Sequence, residues 1–507
     1  MRPLRAVRGP ARRRRRLVLV AVAVLSLAAC AAPRAEVQPV DRAAVDLSAG
    51  AALPERVPAG VVRVAVPDGP ASFLDLRGDD PVAADLAALW GLPLFRYDPA
   101  GQLVPALVED WEIVADAGGW GVELHLRPGR WSDGSAVTAG DVVATLAALR
   151  DGPRAAELAP LVEVGSVDEH RVRLRFDRPY ARWWALLDGV GVLPAAVLAR
   201  DGLAAFDAGI PVAGGSFVLD EHVPGLRTSF TAHTDGPLGA PVLERVEVLI
   251  VPRYEAALGM LRRGDADVVL GYLALNGVER AGRLDGVEAA APVGGTTVAL
   301  SWRPDGRMGG ADALDRRRAV AAAIDVSQLV EGLLGPAGEP AASVVPGVDG
   351  PASRVAPGAG VEVGQPTVVL PRWAEAIAFT GRALQRDLRS AGGGLELIAE
   401  PVPEFVLAAR ASGDARLSAL RTGPAPSFVG TTTDRELALA GDAAGPGSVP
   451  FADAVTRSRA DALVLPLYRI GVLHAWSSEV QRIRPSSWPG LAFWDAAAWT
   501  LGSSAPP

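Results

Sequence analysis

GLPLFRYD (91–98), GQLVPALVEDW (101–111), LHLRPG (124–129), WSDG (131–134) and TAGDV (138–142) follow one another along a single stretch of the chain. Read as physical chemistry, this stretch is a sheet followed by a capped helix. From Gly121 to Arg127 the residues alternate, putting Val122, Leu124 and Leu126 on one face of a half-buried strand. Pro128 and Gly129 end it. In the turn that follows, the Asp133 carboxylate can accept backbone amides two residues on, and Gly134 can take a positive φ. Asp133 and Asp141 therefore read as structural residues. Thr138 is placed to cap a helix running through Arg150. Further on, Arg171–Phe176 alternates again with Val172, Leu174 and Phe176 inward, which leaves Arg171, Arg173 and Arg175 as a solvated face.

Working outward, the β-branched run Val61–Val66 closes on Pro67-Asp68-Gly69 and reads as a strand and turn. A helical stretch covers Pro81–Trp90. Val246–Val251 and Ala266–Leu270 read as strands on either side of a helix, Tyr254–Arg263, the order of a parallel unit. Val298–Trp302 is a further strand, followed by a helix at Leu314–Ala323 and another from Ile324-Asp325 through Leu334. Pro346–Pro366 reads as a long surface loop. Thr367–Leu370, a helix near Ala374–Ser390 and Leu395–Glu400 continue the alternation, Leu463–Tyr468 is a late strand, and no fixed-period repeat is visible. The fold class is α/β.

The N-terminus is a separate matter. Residues 1–29 hold eight arginines and no acid, then thirteen apolar or small residues from Leu17 to Ala29. That run is too short for a membrane span and reads as a secretory signal. Its end, Leu27-Ala28-Ala29-Cys30, resembles the lipobox of bacterial lipoproteins, which implies that Cys30 is lipidated and becomes the first mature residue. Without the signal the formal charge moves from −8 to −16. Nucleic acid is an unsuitable partner for so acidic a chain.

Catalytic handles are missing. Among 507 residues there are 50 arginines but no lysine, which excludes a Walker A loop and lysine-based covalent chemistry. The five histidines never form HExxH or HxH, so no metal site is expected, and no GxSxG surrounds a serine. Gly358-Ala359-Gly360 follows no strand, so no dinucleotide cofactor is expected either. The chain is not read as an enzyme.

The quoted motifs, in their order, resemble the signature region of the extracellular solute-binding proteins of family 5, the oligopeptide, dipeptide and nickel receptors of ABC importers. Ile210–Phe217, Leu261–Asp267, Asp315–Asp325 and Ala460–Tyr468 resemble later motifs of that family. The resemblance covers about residues 60 to 500. It implies a two-lobed periplasmic-binding-protein-like fold of class II with an extra inserted domain, and mixed sheets joined by a hinge. The expected division is a signal peptide at 1–29 and a tether at 30–57. Domain I takes 58–90, 206–292 and 476–507, the inserted domain II 91–205, and domain III 293–475. The implied function is a monomeric, lipid-anchored receptor on the extracytoplasmic face of the cell membrane, which captures a peptide-like or other small solute and delivers it to a permease. The alternative is a sensor or envelope interaction lipoprotein with the same fold. Peptide binders of the family carry an acidic residue that holds the ligand's amino terminus, whereas residues 420–427 here contain only Arg421 as a charge. Arg421 with Phe428, Phe73 with Asp75, and Trp302 with Arg303 are the candidate ligand residues, since clefts of this kind combine aromatic walls with polar anchors in the loops after strands.

Overall fold

The computed structural model describes residues 57–74, 80–99, 102–116, 119–152, 154–155, 158–179, 183–187, 190–273, 275–303, 306–334, 338–341, 343, 361–371, 374–400, 413–421, 462–486 and 491–502. Cys30, Asp75 and Phe428 lie outside them, as do the signal segment, all of the expected tether except its last residue, and most of the loop at 346–366.

The chain opens with β1 (Val61–Val66) and α1 (Pro81–Trp90). Asp80 caps α1: its carboxylate accepts the amides of Val82 and Ala83, both at 3.0 Å, and Pro81 occupies the first turn, where a missing N–H costs nothing. The inserted region follows with β2 (Phe95–Tyr97), β3 (Leu103–Pro105), β4 (Val108–Asp116), β5 (Gly119–Leu126), α2 (Ala139–Arg150), β6 (Leu161–Ser166), β7 (Arg171–Phe176) and α3 (Ala195–Asp201). Strands β4 to β7 form one antiparallel sheet in the order β4-β5-β7-β6. The expected turn and cap are present: Asp133 accepts the Ser135 amide at 2.9 Å, Gly134 has φ +85°, and Thr138 with Asp141 makes a reciprocal capping box on α2.

The chain then runs through β8 (Phe217–Val223), β9 (Arg227–Ala232), β10 (Arg245–Ile250), α4 (Tyr254–Arg263), β11 (Val268–Tyr272), α5 (Gly277–Ala281) and β12 (Val287–Ala290). Gly264, with φ +72°, ends α4 in the left-handed conformation. Next come β13 (Thr296–Trp302), α6 (Leu314–Ala323), α7 (Val326–Leu333), β14 (Gly338–Pro340), β15 (Thr367–Pro371), α8 (Glu375–Ser390), β16 (Glu396–Glu400), β17 (Ala415–Arg421), β18 (Val464–Ile470) and β19 (Leu473–Ser477).

Two large sheets result. The first, in the order β8-β9-β10-β1-β11-β19-β12, has β1 parallel to both β10 and β11, so the strand, helix and strand from 245 to 272 are the parallel unit expected. The second runs β14-β18-β13-β17-β15-β16. One apolar core joins β1, α1, the inserted region and the C-terminal segment, and includes Val64, Leu86, Trp111, Leu124, Phe206 and Trp499. A second core fills the space between the second sheet and α6–α8. A third, smaller one lies under α4 and α5 with Ala65, Tyr254 and Leu258. Among the described residues no helix is long and apolar enough to cross a membrane.

Candidate ligand-binding site

Two chain crossings join the large sheets, 291–295 between β12 and β13 and 471–472 between β18 and β19. They run against each other so tightly that a Cβ on Gly471 would overlap the Ala291 carbonyl, which is why glycine stands there. Strand pairing fixes where they emerge. Leu473 lies opposite Tyr272, and Ala290 opposite His474, so both crossings leave the first sheet at the C-terminal edge of β11 and its parallel neighbour β1. In α/β sheets that edge is where ligands are held. On the second sheet the crossings attach at Thr296 and Ile470, and Arg421 pairs with Thr296.

A non-covalent tie reinforces the crossings. After β11, Leu273 leaves the first sheet and is buried in the second core, while its carbonyl accepts the Ala376 amide of α8 at 3.1 Å. Arg280 of α5 reaches Glu375 at 3.1 Å and Glu255 of α4, donates to the Leu275 carbonyl at 3.0 Å, and lies 4.7 Å from the centre of the Tyr254 ring. Burial raises the Tyr254 and Tyr272 hydroxyls well above the usual phenol range, so both act as neutral donors, to the carbonyls of Gly277 and Val251.

The candidate residues divide by position. Phe73, 1% exposed, follows β1 at the crossing edge and packs edge-on against His222 with centroids 5.0 Å apart. Its amide donates to the Phe206 carbonyl at 3.1 Å and Ser72 reaches Asp207 at 3.1 Å, which ties the loop after β1 to the return from the insert. Arg421 ends β17 opposite Thr296, where the first crossing enters the second sheet. Trp302 and Arg303 stand elsewhere: Trp302 pairs with Ala415, six residues along from the Thr296 and Arg421 pair, which puts the two ends roughly 20 Å apart. Trp302 is 2% exposed within the second core. Arg303 donates its amide to the Asp414 carbonyl at 3.0 Å. Burial opposes ionisation of Asp414, but hydrogen bonds from Arg307 at 2.6 and 3.0 Å and from the Thr367 amide at 2.9 Å, with the charges of Arg307 and Arg303, hold its carboxyl below the usual range. That cluster locks the far ends of β13, β15 and β17 together. Sequence reasoning missed the separation because the register of β13 against β17 is not visible in either segment alone.

Other charged clusters have structural partners. Glu123, 2% exposed, is held by Arg171 at 2.9 Å and Arg173 at 2.8 Å, the outer face expected to be solvated. Glu112, Glu123 and His125 bring ligand atoms within 4.8 Å of one another, yet both Glu123 oxygens already face guanidinium charges, a poor setting for a cation.

Parallel strands feeding two crossings, with a second sheet hung from them, define a hinged solute-binding fold. A family model for bacterial extracellular solute-binding proteins, family 5 (middle region), matches residues 102–362, just over half of the chain. The chain belongs to that family, whose members are binding proteins. Among solved structures, it resembles the oligopeptide-binding protein AppA of Bacillus subtilis in complex with a nonapeptide, with 16% identity and a TM-score of 0.73, over 88% of this chain and 99% of that one. AgaA of A. tumefaciens R10, in complex with agropinic acid, matches at 17% identity and a TM-score of 0.73 over 87% and 99%. NikZ of Campylobacter jejuni, with Ni(L-His), matches at 16% and 0.71 over 88% and 100%. The chain shares their two-lobed fold. No curated protein sequence matches it.

Proposed function

We propose that this protein is the membrane-tethered receptor of an ABC importer and holds its solute between the two large sheets, at the edge where the crossings emerge. The observation that carries this reading is that both crossings leave the first sheet at the C-terminal edge of β11 and β1, and that one of them enters the second sheet at Thr296, the pairing partner of Arg421. Domain I then corresponds to the first sheet, with 58–90, 206–292 and 476–507; β19 enters that sheet from residue 473, slightly ahead of the boundary. Domain II is the insert 91–205, and domain III is the second sheet with its helices, 293–475.

The ligand we favour is a small solute with a carboxylate. Residues 420–427 supply no acid for a peptide amine, and Arg421 is the charge available to an anionic group. Phe73 is the further candidate at this edge, and Asp75 and Phe428, outside the described residues, stay candidates from the sequence alone, whereas the packing of Trp302 and Arg303 at the far end favours structural roles for them. Related folds accept a nonapeptide, agropinic acid and a nickel–histidine complex, so ligand chemistry within this architecture follows side chains more than backbone. Delivery requires closure about the crossings, stabilised by ligand contacts to both lobes. Cys30, acylated after cleavage of residues 1–29, supplies the anchor; with two or more acyl chains such anchoring is stable.

The test has two parts. Native mass spectrometry of the protein from its own host is expected to show one bound small molecule, and calorimetry of Arg421→Ala with that molecule a loss of about 2–5 kcal/mol. An unchanged dissociation constant in a folded variant removes Arg421 from the site. Cys30→Ser is expected to move the protein out of the membrane fraction, and equal membrane retention refutes the anchor.

A further inference from the structure

The C-terminal segment meets the insert in a group of charges that the solute site does not use. Arg96, in β2, is mostly enclosed, and its Nε is shut away from water with no hydrogen-bond partner. Among the described residues it makes no ion pair; its one directed contact is with the indole of Trp494, 5.8 Å from its guanidinium carbon to the ring centroid. Arg484 stands over the same ring at 4.2 Å, so the two guanidinium carbons are no more than about 10 Å apart. Arg127, at the end of β5, spends its Nε on the Ala106 carbonyl at 2.8 Å and leaves its two terminal nitrogens without a partner among the described residues.

Among the described residues, the carboxylate in contact with one of these cations is that of Asp495. Asp495 is 5% exposed and already accepts the Trp499 indole N–H at 2.7 Å and the Arg484 amide at 2.8 Å, while its contact with the Arg484 guanidinium is a longer 3.6 Å. Burial, then the charges of Arg484 and Arg127, lower the pKa of Arg96 from its ordinary value, and Asp495 offsets them only in part. An arginine packed on tryptophan to fasten two segments needs no second arginine on the same ring and no third nearby. Their gathering leaves a surplus of positive charge with free N–H forks, the arrangement that recognises tetrahedral oxyanions.

We propose that Arg96 and Arg484, which share the Trp494 ring, together with Arg127, held on the Ala106 carbonyl next to the pair of Pro105 with Phe95, bind a small multiply charged oxyanion of the phosphate type. The position separates this site from the solute edge. Val242 donates to the Ala497 carbonyl, and the Ala59 amide to Val242, so the segment that follows Trp494 lies beside the start of β1, at the opposite end of the strand from the crossings. A bound dianion would bridge β2 and β5 of the insert to the C-terminal segment.

Thermal unfolding of the whole protein, with sodium phosphate titrated against sodium chloride at equal ionic strength, tests it. The expected result is a saturable rise with phosphate beyond the chloride curve. Arg484→Gln, at a mostly exposed position, is expected to weaken phosphate binding by about tenfold or more in calorimetry while the fold is kept. Arg96→Gln is expected to raise the unfolding temperature in phosphate-free buffer, by removing an enclosed charge that Asp495 offsets only in part, and to abolish the phosphate response. Superimposed phosphate and chloride curves overturn the proposal. So does an Arg96→Gln variant that keeps the response, or one that is less stable without phosphate.

Discussion

Asp141 shows how a signature residue can be structural. Buried at 6% exposure, its carboxylate accepts the Trp131 indole at 3.2 Å, the Thr138 amide at 2.8 Å and the Ala195 amide at 2.8 Å, and so locks the turn, the start of α2 and the start of α3 together. Asp141→Ala removes the acceptor of four donors, the Thr138 hydroxyl included and two of them main-chain, and a loss of about 3 kcal/mol is expected in urea denaturation. Asp495 behaves oppositely to an ion-paired carboxylate. Desolvation raises it from 3.8 to about 6 despite the Trp499 and Arg484 hydrogen bonds. Between those values the folded protein binds more protons than the unfolded chain, so this residue's contribution is greatest below 3.8 and is lost as pH rises to 6 and beyond. Asp495→Asn should flatten the stability profile in that window, and a profile with unchanged slope would falsify the assignment. The structural roles of Asp133 and Thr138, and the capping part of that of Asp141, were legible because each acts on near neighbours in sequence, whereas the bond of Asp141 to the Ala195 amide was not. The positions of Trp302 and Arg303 relative to Arg421 were not, since strand register separates them.

At the scale of elements, the strands and helices with a clear period were readable: β1, β5, β7, α2, α4 and α8 stand where alternation or helical spacing placed them. The hairpin of β8 and β9, and strands β17 and β19, were not. β19, Leu473–Ser477, is buried along almost its whole length, so His474 and Trp476 face protein and no polar alternation remains to betray a strand. In β8 the order DEHV breaks the pattern at a bulge between Leu219 and Glu221. Glycine carried a signal that becomes physical only in three dimensions. Gly214 and Gly215 both donate to the Trp90 carbonyl, at 3.2 and 2.8 Å, and a Cβ on Gly215 would stand 2.6 Å from the Leu89 carbonyl oxygen. Gly215→Ala is therefore expected to destabilise the protein by about 2 kcal/mol or more, read as a lowered denaturation midpoint with unchanged slope. Arg280→Met tests the tie between lobes in the same way: it frees Glu375 and Glu255 while keeping much of the packing on Tyr254, and a loss of about 1–3 kcal/mol is expected.

For the whole molecule, the two-lobed plan was legible from the order of motifs, but the distribution of the apolar core was not. The insert reads in sequence as a domain of its own, yet Trp111, Leu124, Trp131 and Trp183 belong to the same core as Val64 of β1 and Trp499 of the C-terminal segment. The second sheet keeps a core of its own, entered from the first lobe by Leu273 and closed at the second crossing by Val472. Because cooperativity follows shared packing, the insert and the first sheet should unfold together and the second sheet separately, giving two calorimetric transitions in place of three. Substitutions can assign them. Gly215→Ala strains the junction between α1 and the return from the insert and should lower one transition. Ile377→Ala, at a position 1% exposed in α8, removes packing from the second core and should lower the other by about 2–5 kcal/mol. If Gly215→Ala splits its transition so that the insert melts alone, the shared core does not act as one cooperative unit. If both variants shift both transitions equally, the crossings and the Arg280 tie couple the lobes more strongly than their separate cores imply.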